Sequence, residues 1–204
     1  MINSKNFWES RYSNGGNSGS GSYGRLAEFK NKIINSYIDE FSINKIVEFG
    51  CGDGNQLRDM NTNSYVGFDV STTAVDVCSE LYKNDLSKDF YEYTDNLIAL
   101  HGTDADISMS IDVIFHLVED DVFDKYMRNL FAASDKLVLI YSSDYDSDYT
   151  GNHMRYRKFT KWVELNAPDW SLIKKVDNLY PYNKDVDNAG ETSISDFYLF
   201  RKND

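Results

Sequence analysis

A short glycine-rich segment constrains the fold of this chain more than any other feature. It reads Val47-Glu48-Phe49-Gly50-Cys51-Gly52-Asp53-Gly54-Asn55. The preceding residues 45–49 are typical of a buried strand, and a short helix is predicted to begin near Asn55. Glycine lets a backbone turn sharply and lets a ligand approach without meeting a Cβ atom. The segment therefore predicts a tight strand-to-helix turn of the kind that binds nucleotides.

Strands and helices are predicted to alternate about five times along the first two-thirds of the chain. Residues 26–41, 71–82 and 118–131 have the apolar spacing of helices, and residues 45–49, 64–70, 89–93, 105–110 and 136–141 that of strands. A helix at 159–165 follows, and then two strands, 170–176 and 196–201, joined by a long polar connection. The fold class predicted is α/β, with a mostly parallel sheet covered by helices on both faces and an antiparallel addition at its end.

An acidic residue stands where the second predicted strand ends. Asp69 follows Gly54 by 15 residues, and a carboxylate there can accept hydrogen bonds from both hydroxyls of a ribose. The dinucleotide fingerprint is G-x-G-x-x-G, whereas this chain has G-x-G-x-G preceded by Glu48. An acidic residue beside the turn suits a ligand with a cationic amino acid end. An NAD-dependent oxidoreductase and a glycine turn without a ligand remain as alternatives.

The net charge and the cysteine content argue against several classes of binding partner and metal site. The chain has 204 residues, a length that suits one domain, with 21 basic and 33 acidic residues and a net charge of −12. That charge repels nucleic acid and anionic membranes and favours a small-molecule partner. Two cysteines exclude a disulfide framework and a four-cysteine zinc site, no metal-ligand spacing stands out, and no apolar run reaches the ~20 residues of a membrane span. We expect a cytoplasmic protein without a metal site; the sequence leaves its oligomeric state open.

The N-terminal segment carries five glycines between residues 15 and 24, alternating with Asn and Ser. A flexible linker is one interpretation. Aromatic residues, among them Trp8 and Tyr12, flank the segment, and they favour a loop that folds over a ligand. We therefore divide the chain into a lid segment, residues 1–24, and a domain, residues 25–204.

The quoted motifs resemble those of a known enzyme class. The segments EFGCGDGNQ and YVGFDVS look like the cofactor site of class I S-adenosylmethionine-dependent methyltransferases. The N-terminal segment, DVIFHLVEDDVFDKYM, RYRKFTKW and SDFYLF resemble small bacterial members associated with surface-polysaccharide biosynthesis. This resemblance implies a Rossmann-like sheet of seven strands with the last strand antiparallel.

The same resemblance implies roles for individual residues. Glu48 would support the cofactor ammonium, Asp69 the ribose, and Trp8 and Tyr12 would close over the ligand. An aromatic face also suits a sulfonium cation. The complete set of cofactor-binding residues expected is Trp8, Tyr12, Arg25, Glu48, Gly50, Cys51, Gly52, Gly54, Asp69, Val70, Asp112 and Val113.

The sequence says less about the methyl acceptor than about the cofactor. His116 follows the fourth predicted strand and His153 lies in a loop after the fifth, so one of them is expected to act as a general base. Arg155 and Arg157 could bind an anionic group of the acceptor, although a solvated basic stretch explains them equally well. Methylation of a small hydroxyl or amine is expected, with a sugar or nucleotide-linked sugar of a surface glycan preferred by the resemblance. A non-catalytic protein that binds S-adenosylmethionine is the further alternative.

Overall fold

The structure is a computed structural model, which describes residues 3–148, 152–185 and 190–203. Seven strands in these ranges form one sheet in the order β3-β2-β1-β4-β5-β7-β6. Their bounds are β1 Lys45–Phe49, β2 Ser64–Asp69, β3 Lys88–Glu92, β4 Ala105–Ile111, β5 Ser134–Ser142, β6 Trp170–Val176 and β7 Asp196–Lys202. Strands β1 to β5 pair in parallel, and β7 pairs antiparallel with both β5 and β6. The predicted Rossmann-like sheet with an antiparallel last strand is confirmed.

Six α-helices connect and cover the strands in the described residues. They are α1 Ser4–Ser13, α2 Gly24–Phe41, α3 Thr72–Leu81, α4 Asp95–His101, α5 Asp120–Ala132 and α6 Phe159–Asn166. Helix α5 begins two residues later than predicted, with Asp120 and Asp121 in its first turn, where carboxylates favour the helix dipole. The short helix expected near Asn55 is a 3₁₀ turn, Gln56–Asp59.

Two of these helices were not predicted, because neither has a strong apolar stripe. Helix α1 is started by the side chain of Asn3, which accepts a hydrogen bond from the backbone N–H of Asn6 at 2.9 Å. Helix α4 is only seven residues long and begins after Thr94, whose hydroxyl caps Leu97. A capping side chain marks the start of both helices, and a search for apolar periodicity does not detect such a cap.

The sheet separates two apolar cores, as an α/β layer structure requires. Val138 and Ile140 of β5 pack in the core shared with α5 and α6, whereas Leu137 and Leu139 pack in the core shared with α2 and α3. The alternation along one strand follows from the two-residue period of β structure. No helix in the described ranges has both the length and the apolar character to cross a membrane.

The strand order places a crevice between β1 and β4, at the carboxyl ends of the strands. From β1 the chain builds outward through β2 and β3, and it then returns to place β4 on the other side of β1. Ligands of open α/β sheets bind at the carboxyl ends of the strands where this reversal occurs. The glycine turn after β1 and the segment after β4 both lie at this reversal.

Candidate functional site

A cavity lies at the carboxyl ends of β1, β2 and β4, under helix α1. Its volume is about 1030 Å³ when the open space at its mouth is counted. Its lining contains many of the residues expected from the sequence, namely Trp8, Tyr12, Glu48, Gly50, Cys51, Gly52, Asp69, Val70, Asp112, Val113 and His116. Gly54, Arg25 and His153 are not part of that lining.

The glycine turn needs glycine at two positions for different reasons. Gly50 has φ +87°, and a Cβ atom there would lie 2.3 Å from a methyl group of Val113. Gly52 has φ +59°, and its Cβ would lie 2.2 Å from the hydroxyl of Ser18. The first glycine lets β1 meet the segment after β4, and the second lets the N-terminal segment close over the turn.

Glu48 is a buried carboxylate at the end of β1. It is 3% exposed, and it accepts a hydrogen bond from the Tyr65 phenol at 2.6 Å. Burial raises the pKa of Glu48 to about 7, although the Tyr65 bond and the Lys30 charge oppose this shift. A cation entering beside Glu48 would stabilise the ionised form.

Lys30 is the residue of this site that sequence reasoning missed. Its side chain lines the cavity, is 1% exposed, and forms an ion pair of 2.9 Å with Asp112. The sequence does carry a signal, because Lys30 stands four residues from both Leu26 and Ile34 in the buried stripe of α2. A lysine inside such a stripe must be paired, and it provides the cavity with a buried positive charge.

Asp112 holds the segment after β4 in an unusual conformation. Its φ is +59°, a region that costs a non-glycine residue free energy and that clusters at functional sites. One carboxylate oxygen accepts from Lys30, and the other accepts from the Ser195 hydroxyl at 2.9 Å. These two bonds fix the carboxylate at the edge of the cavity.

Asp69 lies at the end of β2, as predicted. Its two oxygens accept hydrogen bonds of 2.9 Å from the backbone N–H groups of Gly52 and Ser71. Burial raises its pKa to about 6, and those backbone bonds oppose the shift. A carboxylate has about four acceptor sites, so Asp69 can still accept from a ligand.

The N-terminal segment is fastened over the cavity by polar contacts with the glycine turn. The Asp53 carboxylate accepts from the Ser18 N–H at 2.9 Å and from the Tyr23 phenol at 2.7 Å, and the Ser18 hydroxyl accepts from the Asp53 N–H at 2.9 Å. The Tyr12 phenol lies 3.0 Å from the Ser18 hydroxyl. In addition, Glu9 of α1 accepts from Ser71 and Thr73 at the start of α3. The segment is therefore in a closed position in this structure.

The two candidate histidines lie next to each other. Their rings are parallel with centroids 5.5 Å apart, and Trp8 contacts the His116 ring edge-on. The His116 Nδ1 atom lies 3.2 Å from the carbonyl oxygen of His153. Burial lowers the pKa of His116 to about 4, so the ring is neutral near pH 7. Because a carbonyl only accepts, this bond requires the proton on Nδ1 and leaves Nε2 with its lone pair.

Three arginines have partners other than a ligand. Arg25 donates to the backbone carbonyl of Glu191 and pairs with its carboxylate at 3.0 Å. Arg155 and Arg157 donate to backbone carbonyls after β4, and both pair with Asp120. The guanidinium groups of Arg155 and Arg157 thus hold protein segments together. No group of three or more metal-ligating side chains occurs in the part of the chain that the structure describes.

Comparisons with known proteins support the fold alone. No family model matches the sequence, and no curated protein matches it. Among solved structures, the chain is similar to the N-methyltransferase NodS from Bradyrhizobium japonicum WM9 in complex with S-adenosyl-L-homocysteine, with a TM-score of 0.74, 12% identity and all of both chains covered.

Two further solved structures have a similar fold. Magnesium protoporphyrin IX methyltransferase (ChlM) from Synechocystis PCC 6803 with bound S-adenosyl-L-homocysteine has a TM-score of 0.65 and 10% identity, over 97% of each chain. The methyltransferase domain of a bacterial Hen1, CtHen1, has a TM-score of 0.63 and 16% identity, over 87% of this chain and 100% of that chain. The chain has the Rossmann-like fold of class I S-adenosylmethionine-dependent methyltransferases.

Proposed function

We propose that the cavity binds S-adenosylmethionine and that the protein transfers its methyl group to a hydroxyl or amine of a small molecule. The observation that carries this proposal is that a buried carboxylate, Glu48, and a buried ammonium, Lys30, both line the cavity at the glycine turn. An α-amino acid end carries one ammonium and one carboxylate, and this pair matches both. Asp69, at the end of the next strand, is placed to accept from a ribose.

The donor set fits this cofactor better than a dinucleotide. A pyrophosphate would meet the acidic side chains of Glu48, Asp53 and Asp69 in the lining, with a single buried lysine to offset them. The ligand of such a cavity should carry positive charge. Bound S-adenosylmethionine would supply a methyl group already activated by a positive sulfur.

The chain's own residues would then perform three tasks. The closed N-terminal segment, with Trp8 and Tyr12 in the lining, would exclude water from the ligand. The segment at Asp112 and Val113 would align the acceptor, and alignment can provide much of the rate. The free Nε2 atom of His116 would accept the proton of an acceptor hydroxyl.

For the acceptor we propose a sugar or nucleotide-linked sugar of a surface glycan. The support is the sequence resemblance described above. One similar structure is that of a small RNA methyltransferase, HEN1, but the net charge of −12 disfavours a polyanionic acceptor.

The test is transfer of an isotopically labelled methyl group from S-adenosylmethionine to a panel of nucleotide sugars, free aminosugars and small RNA, with products weighed by mass spectrometry. We expect a mass gain of one methyl group on a sugar and none on RNA. Methylated RNA would contradict the acceptor proposed. If the parent transferred label to no member of the panel and did not bind the cofactor, the whole proposal would fail.

A further inference from the structure

Residues 153–157, in the loop after β5, are hydrogen-bonded to the segment that carries His116. The backbone N–H of Arg155 donates to the carbonyl of Phe115 at 2.7 Å, and the carbonyl of His153 meets Nδ1 of His116 at 3.2 Å. Residues 153–157 thus lie alongside residues 115–118. The His116 ring itself makes one of the hydrogen bonds of this pairing.

Arg157 fastens the two segments at their far end together with Arg155, whose guanidinium also donates to the carbonyl of Val118 and pairs with Asp120. Its guanidinium donates to the carbonyl of Leu117, the residue after His116, and to the carbonyl of Val118 at 3.1 Å. It also pairs with Asp120 at 3.0 Å, and its side chain is 10% exposed. The guanidinium carbon lies 4.7 Å from the centre of the Phe123 ring. A guanidinium with all these partners is held in one position.

Only an arginine can make this set of contacts. The planar guanidinium presents several N–H donors in a fixed fork, so it can hold two carbonyls and a carboxylate together. A lysine would keep the charge and the pairing with Asp120, but its single ammonium cannot hold the two carbonyls in the same geometry. The contacts predict that Arg157→Lys folds and yet loosens the segment.

We propose that Arg157 is a positioning residue for His116: it holds residues 115–118 against residues 153–157, so that His116 keeps its proton on Nδ1 and its lone pair on Nε2. Arg157 itself is not part of the cavity lining. Its role in methyl transfer rests on the proposed function, whereas its effect on the His116 ring does not.

Three charged or titratable side chains act on the His116 ring. They are His153, whose ring is parallel to it, Asp112 before it, and Arg11 of helix α1. Arg157→Lys keeps the positive charge at this position. A change in His116 titration in Arg157→Lys would therefore report movement of the segment and not loss of a neighbouring charge.

The experiment is ¹⁵N NMR of histidine-labelled full-length protein, titrated with acid, for the parent and for Arg157→Lys, Arg157→Met and Arg128→Lys. Loss of the signal in a His116→Asn protein assigns the ring. Arg128 provides the control, because it is an exposed arginine of α5 paired with Asp124. In the parent and in Arg128→Lys we expect one tautomer, with the proton on Nδ1.

In Arg157→Lys we expect both tautomers and a His116 pKa that rises by a unit or more toward its ordinary value, with a larger change in Arg157→Met. A folded Arg157→Lys protein with the parent's ring signals and titration would overturn the proposal, and this holds even if Arg157→Met does not fold. If the protein transfers methyl groups, Arg157→Lys should lower kcat about tenfold and leave the dissociation constant of S-adenosylhomocysteine unchanged. Normal ring signals with lost transfer would count against the positioning role; altered ring signals without any transfer in the parent would count only against the proposed function.

Discussion

Replacing Glu48 with glutamine should make the ligand-free protein more stable at alkaline pH. Glu48 is buried, and its pKa is raised from 4.5 to about 7 because its ionised form is desolvated. Glutamine has nearly the same shape, its amide oxygen can still accept from the Tyr65 phenol, and it carries no charge to desolvate. The substitution therefore removes the titration and leaves the hydrogen bond of 2.6 Å with an acceptor.

The size and sign of the effect follow from linkage. An acid whose pKa is raised by folding contributes stability that is fully present below its unfolded pKa, here 4.5, and that is lost as the pH rises through its folded pKa, about 7. A shift of this size corresponds to about 3 kcal/mol at pH 8, where both states are ionised. At pH 5 most of that stability remains.

The assay is urea unfolding of the parent and of Glu48→Gln at pH 5 and pH 8. We expect the difference in free energy of unfolding between the two proteins to change by about 2–3 kcal/mol over this range, in favour of glutamine at pH 8. The titration of His116 occurs in both proteins and cancels in this comparison, whereas Asp69, whose charge raises the pKa of Glu48, is part of the difference measured. A difference that is the same at both pH values would refute the reasoning that Glu48 is a buried, desolvated acid.

The remaining predictions concern the ligand and the reaction. Asp69→Asn should weaken binding of S-adenosylhomocysteine tens-fold or more in calorimetry, because a charge-assisted hydrogen bond contributes about 1.5–3 kcal/mol; an unchanged affinity would remove Asp69 from the site. Lys30→Met should weaken the same binding about tenfold or more by loss of a charge-assisted bond, whereas Arg25→Met, a matched loss of a cation that does not line the cavity, should leave the dissociation constant near the parent's. Amide hydrogen exchange of residues 12–24 should slow when S-adenosylhomocysteine saturates the protein, since ligand contacts would hold the segment closed; exchange that ignores the ligand would make the segment a linker. His116→Asn should lower turnover by roughly 10²–10⁴-fold with little change in cofactor affinity, because asparagine cannot accept a proton; undiminished turnover at neutral pH would exclude a general base at this position.

Much of the fold could be predicted because its strands are short, apolar and regularly separated. The glycine turn, the alternation of strands and helices, and the long connection before the last strand each have a local signature in the sequence. Strand order has no such signature, because pairing is decided by contacts between residues far apart in the chain. Helices α1 and α4 were missed because neither has a strong apolar stripe, although each helix has a capping residue at its start.

In the site, too, residues with a local sequence signature were predicted and residues with distant partners were not. Glu48, Gly50, Gly52 and Asp69 come from two adjacent strand ends, so their spacing along the chain predicted that they would meet. Lys30 was missed although it stands inside an apolar stripe, because no pattern in the sequence links it to its partner Asp112, 82 residues away.

The arginines show what a sequence pattern leaves out. Arg155 and Arg157 are near a candidate histidine in the sequence, and an anion site was one interpretation of them. In the structure they bond to the segment after β4, an arrangement that depends on how two distant loops pack. Their partners are backbone carbonyls, which every residue has and which no sequence motif can indicate.

The most direct test of the central claim is calorimetric titration of the purified protein with S-adenosylhomocysteine and, separately, with NADH. A cavity that pairs Glu48 and Lys30 with an amino acid end and Asp69 with a ribose predicts saturable binding of one S-adenosylhomocysteine per chain and no measurable binding of NADH. Binding of NADH without binding of S-adenosylhomocysteine would contradict this assignment of the cavity.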